Sequence, residues 1–278
     1  MTGTLQLTKH HGLGNDFLVA FVDRVPDDGA ALAVGLCARR TGVGADGLIL
    51  ATPGVDDGTV GFTLFNSDGS PAEVSGNGLR CLGQALAVES GCSRVDVTAV
   101  TAAGPRRVLI EAEAQATTVA ASVEMGPVAP GIELPDGLVG RLADQGGALS
   151  GLAELRQWSS ADLGNPHVVF DVAHLGAIQI DRFGPAVEAL LGAVNVEVIA
   201  VHDRARLDMS VWERGAGVTM ACGSGACAAA HAARQWGLVD DQVQVTMPGG
   251  EAQVDLSGPQ VVLTGPATFI GWVEVPHG

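Results

Sequence analysis

Positive charge is what this chain has least of. Fifteen lysines and arginines stand against 31 aspartates and glutamates, giving a formal net charge of −16. Such a surface repels phosphate backbones and anionic lipid, and no basic run offsets it, so neither nucleic acid nor a membrane is an expected partner. A small anionic substrate would need local help from arginine or backbone N–H groups. Long apolar runs are missing too. None reaches the length of a membrane span, and MTGTLQLTKHHG at the start holds no signal-peptide core, so the expectation is a soluble cytoplasmic protein. Cysteine is sparse and odd in number: Cys37, Cys81, Cys92, Cys222 and Cys227 read as reduced thiols. No CxxC or His/Cys cluster has zinc-like spacing, so no structural metal is expected. No short-period repeat or low-complexity tract is present.

What is there is a sequence built to pack. Hydrophobic residues make up 47% of 278 positions, enough for one large domain or two ordinary ones. Strand patterns are expected at 5–9, 17–22, 47–52, 60–66 and 95–100, with short β-rich runs continuing to about Met125. Ala31–Arg40 and Leu79–Glu89 read as helices. The stretch from Gly126 to Gly151, beginning GPVAPGIELPDGLVG, is the best linker or boundary candidate. The plan then repeats, with strands expected at 168–171, 194–200, 205–212, 242–246, 252–256 and 261–263. An Ala-rich helix runs to about Trp236, and MPGG at 247–250 is a turn.

Two segments carry the chemistry. Ser75-Gly76-Asn77-Gly78 and Cys222-Gly223-Ser224-Gly225 each place a small nucleophilic side chain at a Gly-rich turn that opens a helix. Each offers backbone N–H groups and a helix N-terminus, which favour an anion such as a carboxylate. They lie about half the chain apart, which suggests two similar α/β halves with the functional cleft between them. Two such turns facing each other could hold one carboxylate and set a residue on either side of the adjacent carbon, for proton removal on one face and delivery on the other. A thiol at a helix N-terminus is expected to have a lowered pKa and to serve as base near neutral pH. The carboxylate-binding N–H groups would stabilise the charge left as the proton departs. Neither turn ends in the Gly-Lys-Ser/Thr of a P-loop, and nothing suggests Mg²⁺ ligands.

Five phrases go further: KHHGLGNDFLV at Lys9, TGVGADGLIL at Thr41, LFNSDGSPAEVSGNGLRC at Leu64, GNPHVV at Gly164 and WERGAGVTMACGSGACAA at Trp212. In this order, through nearly the whole chain, they closely resemble diaminopimelate epimerase. The resemblance implies an α/β (α+β) fold of two pseudosymmetric domains, 1–123 with 265–278 and 124–264. Each would be a mixed sheet wrapped around a central helix. It implies a two-base, cofactor-free and metal-free interconversion of LL- and meso-diaminopimelate on the lysine and cell-wall pathway, in a cytoplasmic enzyme that is commonly a homodimer. Cys222 matches one catalytic cysteine. Gly76-Asn77 and Gly223-Ser224 match the backbone that grips the reacting carboxylate. Asn15, Asn66, Asn165 and Asn195 match site-lining positions, and Glu213 and Arg214 match the pair that reads the distal amino-acid end. A guanidinium can hold a carboxylate through two parallel bonds, and a glutamate can hold an ammonium.

The position of the other family cysteine holds Ser75. Its hydroxyl is a far weaker acid than a thiol and a poor base, and Cys81, six residues on and roughly 9 Å along a helix, is too far to replace it. Ser75 could be engineered to trap a complex, relay a proton through water, or form a mixed pair such as some proline-type racemases use. It could also mark a paralogue with another reaction or none. Val218 stands where the family usually has glutamate, Gly47 where it often has glutamine, and LLGAVNVEV lacks the usual Phe-Pro before Asn195. The plainer readings stand beside these: Ser75 as a helix cap, Cys37, Cys81, Cys92 and Cys227 as structural, His11 as a hydrogen-bonded structural histidine, Arg80 as support for the helix, and His167 as a site-lining candidate. The alternatives to the epimerase are a racemase, epimerase or dehydratase of another amino acid using the Ser/Cys pair, and a catalytically impaired amino-acid-binding protein.

Overall fold

In a computed structural model, residues 3–111, 116–144 and 149–277 are described. The elements in chain order are β1 (Gly3–Gly12), β2 (Asn15–Phe21), α1 (Gly29–Cys37), β3 (Gly47–Pro53), β4 (Thr59–Asn66), β5 (Pro71–Ala72), α2 (Gly76–Ser90), β6 (Arg94–Thr101), β7 (Gly104–Glu111) and β8 (Thr118–Gly126). They continue with β9 (Ala129–Pro130), α3 (Leu138–Asp144), β10 (Gln157–Asp162), β11 (Pro166–Asp171), α4 (Ile180–Leu191), β12 (Asn195–Asp203), β13 (Arg206–Glu213), β14 (Gly217–Val218), α5 (Gly223–Gln235), β15 (Gln242–Met247), β16 (Gly250–Asp255) and β17 (Val261–His277). The chain divides into two compact units, 1–124 with 264–278, and 125–263.

In the first unit, strand pairing runs β1–β2 antiparallel, β2–β3 parallel, β3–β4 antiparallel, β4–β6 parallel and β6–β7 antiparallel. β7 pairs with β8, β8 with β17, and β17 with β1, so the strands close on themselves. Closure removes the unpaired strand edges that invite aggregation. Helix α2 packs against β1, β2, β3, β6 and β7 and is buried at every residue from Gly76 to Ala85. A helix buried all round must be apolar or small all round, and GNGLRCLGQALA is, apart from Asn77, Arg80 and Gln84, whose side chains are hydrogen-bonded. Helix α1 lies outside, on β3 and β4, burying Ala33 and Cys37 and exposing Val34.

The second unit follows the same pairing order. β10–β11 is antiparallel, β11–β12 parallel, β12–β13 antiparallel, β13–β15 parallel and β15–β16 antiparallel. Helix α5 packs against β10, β11, β12, β13, β15 and β16. Its run of alanines, all but fully buried from Ala226 to Ala230, lets these strands approach closely. Helix α4 packs on β12, β13 and β14, where Phe183 and Val187 meet Val168, Phe170, Val196 and Val198 in one core. A Cβ at Gly184 would overlap the Trp212 side chain, so the glycine sets that close contact.

Two expectations need correction. The stretch 126–151 is not an open linker: it holds β9 and α3, and Leu138 and Leu142 are buried in the second unit's core, while residues 145–148 lie outside the described residues. The strand expected at 261–263 runs on to residue 277, through Gly265 and Pro266.

His10 on β1 is fully buried; its Nδ1 lies 3.1 Å from Gln84 Oε1, and Gln84 Nε2 donates to the Thr117 carbonyl at 2.6 Å. Burial pushes its pKa down from 6.5 to about 4, the Gln84 bond offsetting part of the shift and His11 adding to it. The folded protein therefore takes up this proton only at low pH, whereas the unfolded chain takes it up near 6.5. Stability attributable to this site is complete above pH 6.5 and falls as pH drops toward 4. Chemical denaturation across that window should show wild type losing up to ~3 kcal/mol more than His10→Gln; parallel pH profiles for the two would refute the assignment.

Candidate active site

The hairpin between β1 and β2 turns on Leu13 and Gly14, with φ of 56° and 86°. Positive φ at both central residues is the tight turn that matches strand twist, and it costs strain at a leucine. His11 Nδ1 accepts from Gly14 N there, at 3.3 Å. The turn delivers Asn15 to the start of β2. Asn15 Nδ2 donates to Asp46 Oδ2 at 2.9 Å, Asn77 Nδ2 donates to Asn15 Oδ1 at 3.1 Å, and the fully buried Arg80 donates to Asn77 Oδ1 at 2.7 Å. Arg39 bridges Asp16 and Asp46 at 2.7 and 2.6 Å, and Lys9 meets Asp16 at 3.0 Å. Burial alone would push the Asp16 carboxyl up, but Arg39 and Lys9 outweigh it and hold it below its usual value. These ion pairs fix Asp46, and Asp46 fixes Asn15. Register carries Phe17 to Gly47 to Asn66 across three strands, placing Asn66 at the same strand ends; its Nδ2 donates to Ser70 Oγ at 3.0 Å.

Ser75 caps α2. Its backbone is extended, at φ −143° and ψ 117°, and its Oγ accepts from Gly78 N at 3.0 Å. Cys222 caps α5 in the same way, at φ −127° and ψ 116°, with its Sγ accepting from Gly225 N at 3.4 Å. In each helix the N–H groups of the next two residues, Gly76-Asn77 and Gly223-Ser224, have no acceptor within the helix ladder and point out of its end.

Around Cys222 the second unit gathers further groups. Asn165 precedes β11, Asn195 opens β12, and Glu213 closes β13. Asn195 Nδ2 donates to the Pro166 carbonyl and its Oδ1 accepts from Arg214 N, both at 3.0 Å, so the asparagine ties these strand ends together. Asn165 Nδ2 donates to Ser224 Oγ at 3.3 Å, and that hydroxyl lies 3.6 Å from Cys222 Sγ. The Glu213 carboxylate accepts a short bond from Thr219 Oγ1 and a hydrogen bond from the Cys222 thiol. Glu213 therefore sits at the thiol.

The electrostatics reverse one expectation. The lowering by the helix N-terminus is outweighed; burial pushes the thiol's pKa well above the usual range, and the nearby carboxylates of Glu213 and Glu197 add to the rise. The bonds from Ser224 and Gly225 oppose this only in part. Burial likewise raises Glu213, against the bonds from Thr219 and Cys222. The resting group is thus a thiol with a carboxyl beside it to exchange its proton. Cys37 and Cys81 are buried with pKa values raised to about 12, chiefly by desolvation, and Cys227 is buried as well. Cys92, unlike the other four cysteines, is exposed. That reading also missed Arg39, Asp46, Thr219 and Glu197.

This fold is shared with solved structures at low sequence identity. A predicted epimerase from Pseudomonas aeruginosa superposes with a TM-score of 0.79 at 19% identity, covering 98% of this chain and 99% of that one. A hydroxyproline epimerase from Agrobacterium vitis gives 0.73 at 17%, covering 99% and 94%. The fold is that of a class that includes amino-acid epimerases. Sequence is more specific. The pattern of the diaminopimelate epimerase family matches residues 7–129 and 159–270. Diaminopimelate epimerases of Rhizorhabdus wittichii and Microcystis aeruginosa are 40% and 38% identical, each over 96% of this chain and over 93% and 97% of their own length. The chain belongs to the diaminopimelate epimerase family.

Replacing Glu213 by glutamine removes one of the charges that raise Cys222. Ultraviolet titration of thiolate absorbance, with Cys222→Ala as reference, should show Cys222 ionising at lower pH in Glu213→Gln than in wild type. An unchanged or higher midpoint would mean that Glu213 does not act on this thiol.

Proposed function

We propose that this chain interconverts LL- and meso-diaminopimelate by proton transfer at the α-carbon, with no cofactor, in the cytoplasm and on the route to lysine. The observation that carries the reading is the matched pair of capped helix starts, each with a protic side chain beside outward-pointing N–H groups. On this reading the two units are the two epimerase domains. The N–H groups of Gly76-Asn77 and Gly223-Ser224 take the reacting carboxylate and stabilise charge as the α-proton leaves. Asn15, Asn66, Asn165 and Asn195 line the site, and Arg214 holds the distal carboxylate.

Cys222 is one acid/base. Glu213 takes the thiol proton, the thiolate removes the α-proton from one face, and the regenerated thiol returns it in the reverse direction. Arrival of the substrate ammonium lowers the cost of charge beside two carboxylates. Ser75 is the other acid/base. A hydroxyl exchanges protons with carbon far less readily than a thiol, so it passes the proton through water. The second reading, a racemase or epimerase of another amino acid, is favoured only by this thiol/hydroxyl pair.

Proton NMR of LL-diaminopimelate with the protein in D₂O tests the proposal. Loss of the α-proton signal with growth of the meso form supports it. Deuteration without inversion means that Cys222 works and Ser75 does not. No exchange despite binding, seen as a thermal shift, rules the reaction out for this chain. Cys222→Ala should abolish exchange and leave binding largely intact, and Ser75→Cys should raise turnover by about two orders of magnitude or more.

A further inference from the structure

Among the described residues no fully buried side chain is larger than Arg80. It stands one turn into α2, and two glycines make room for it. A Cβ on Gly12, at the end of β1, would come 3.0 Å from Arg80 Nη2, and one on Gly265, on β17, would come 3.1 Å from its Cζ and its Nη1. An apolar side chain of the same length would fill this space without the cost of desolvating a guanidinium. What arginine adds here is a hydrogen-bond donor.

The bonds that start from it all run in one sense. Arg80 Nη2 donates to Asn77 Oδ1 at 2.7 Å, Asn77 Nδ2 donates to Asn15 Oδ1 at 3.1 Å, and Asn15 Nδ2 donates to Asp46 Oδ2 at 2.9 Å. An amide can in general be turned end for end, but not between these two termini. A guanidinium carries hydrogens and has no acceptor. The Asp46 carboxylate is ion-paired with Arg39 at 2.6 Å, and its Oδ2 also accepts from Asp16 N at 3.1 Å, so it only accepts. With a donor at one end and an acceptor at the other, both asparagines must turn their oxygens toward Arg80 and their NH₂ groups toward Asp46. Turning either amide over would set two donors or two acceptors face to face. Bonds ordered in one sense also polarise and strengthen one another.

We infer that Arg80 is a positioning residue: its Nη2 holds the amide of Asn77, and through it that of Asn15, in a single orientation at the start of α2. Asn77 is buried, so without this donor its oxygen would lose a partner that water cannot replace. Asn77 is anchored at both ends of its amide, which fixes the residue whose backbone N–H takes the reacting carboxylate. That consequence rests on the proposed function; the order of the two amides does not.

Neutron diffraction from deuterium-exchanged crystals of the full chain, without substrate, reads the amides directly. Two deuterons are expected on the Asn77 atom that faces Asn15, and two on the Asn15 atom that faces Asp46. Deuterons on the Asn77 atom that faces Arg80 would overturn the proposal, whatever the protein's activity and whether or not any variant folds. Arg80→Met keeps the length of the side chain and removes the donor. If diaminopimelate is the substrate, this change should raise KM about tenfold while kcat falls less. The same change made in Asn77→Ala should add almost nothing to KM, because the amide it holds is gone. Equal losses in the two backgrounds would show that Arg80 acts by packing alone and would overturn the positioning role.

Discussion

A helix enclosed by strands cannot leave its first turn to water, and much else in each unit follows from that. The start of α2 is buried from Gly76 onward and that of α5 from Gly223 onward. Buried N–H groups need acceptors, from side chains, water or a ligand. Ser75 and Cys222 each satisfy one, at Gly78 and Gly225. The small residues that follow are also forced, since larger side chains would collide with the enclosing strands. A Cβ on Gly83, for instance, would meet Val108 at 2.7 Å. A Gly-rich turn with a small polar cap is therefore what the fold demands at these two places. The same demand gathers backbone N–H groups at each helix start, the kind of place that suits an anion.

The two units hold their asparagines by different electrostatics. In the first, cations are plentiful: Lys9 and Arg39 neutralise Asp16 and Asp46, and Asp46 then orients Asn15. In the second, Glu197 and Glu213 both disfavour the thiolate of Cys222. Three ionisable acids so close together cannot all be charged in a desolvated place. The resting state keeps the proton on sulfur, and on the proposed reaction the substrate supplies the missing positive charge. A base that is created only when its substrate arrives is spared reaction with other electrophiles in between.

Much of this was legible in the sequence, and the failures have physical causes. The SGNG and CGSG turns stood out because a nucleophile followed by spaced glycines before an Ala/Leu run has few other uses. Helix α2 begins at Gly76 rather than Leu79, because enclosure by strands overrides the poor helix propensity of Gly-Asn-Gly. Helix α4 escaped notice because Gly184 and Pro185 sit in its middle, although Ile180, Phe183, Val187 and Leu191 keep helical spacing. Strand β10, QWSSAD, is too polar to read as a strand. Glu197 was the costly omission, and a signal for it existed. In Asn195-Val196-Glu197-Val198 the valines pack with α4, so alternation sends Asn195 and Glu197 together to the α5 face. A charged residue paired by alternation with a candidate site residue is worth marking even when no motif contains it. Asp46 gave no such signal, because an Asp after Gly-Ala reads as a turn.

The contrast between Ser75 and Cys222 separates what the fold needs from what chemistry needs. Serine is a good helix cap and sulfur a weak acceptor. Ser75 takes its capping bond at 3.0 Å, whereas Cys222 takes its own at 3.4 Å. Nothing in the packing of the α2 start calls for a thiol, and the hydroxyl fills the cap fully. At 222 the reverse holds: the fold accepts the weaker cap and, beside it, the cost of desolvating Glu213. A residue that is worse than its alternative for stability, and surrounded by groups that raise its pKa, is kept for its proton. A residue that is already the best cap available has no such argument behind it. On the proposed reaction, that asymmetry makes Cys222 the residue retained for its chemistry, and leaves Ser75 accounted for by its cap alone.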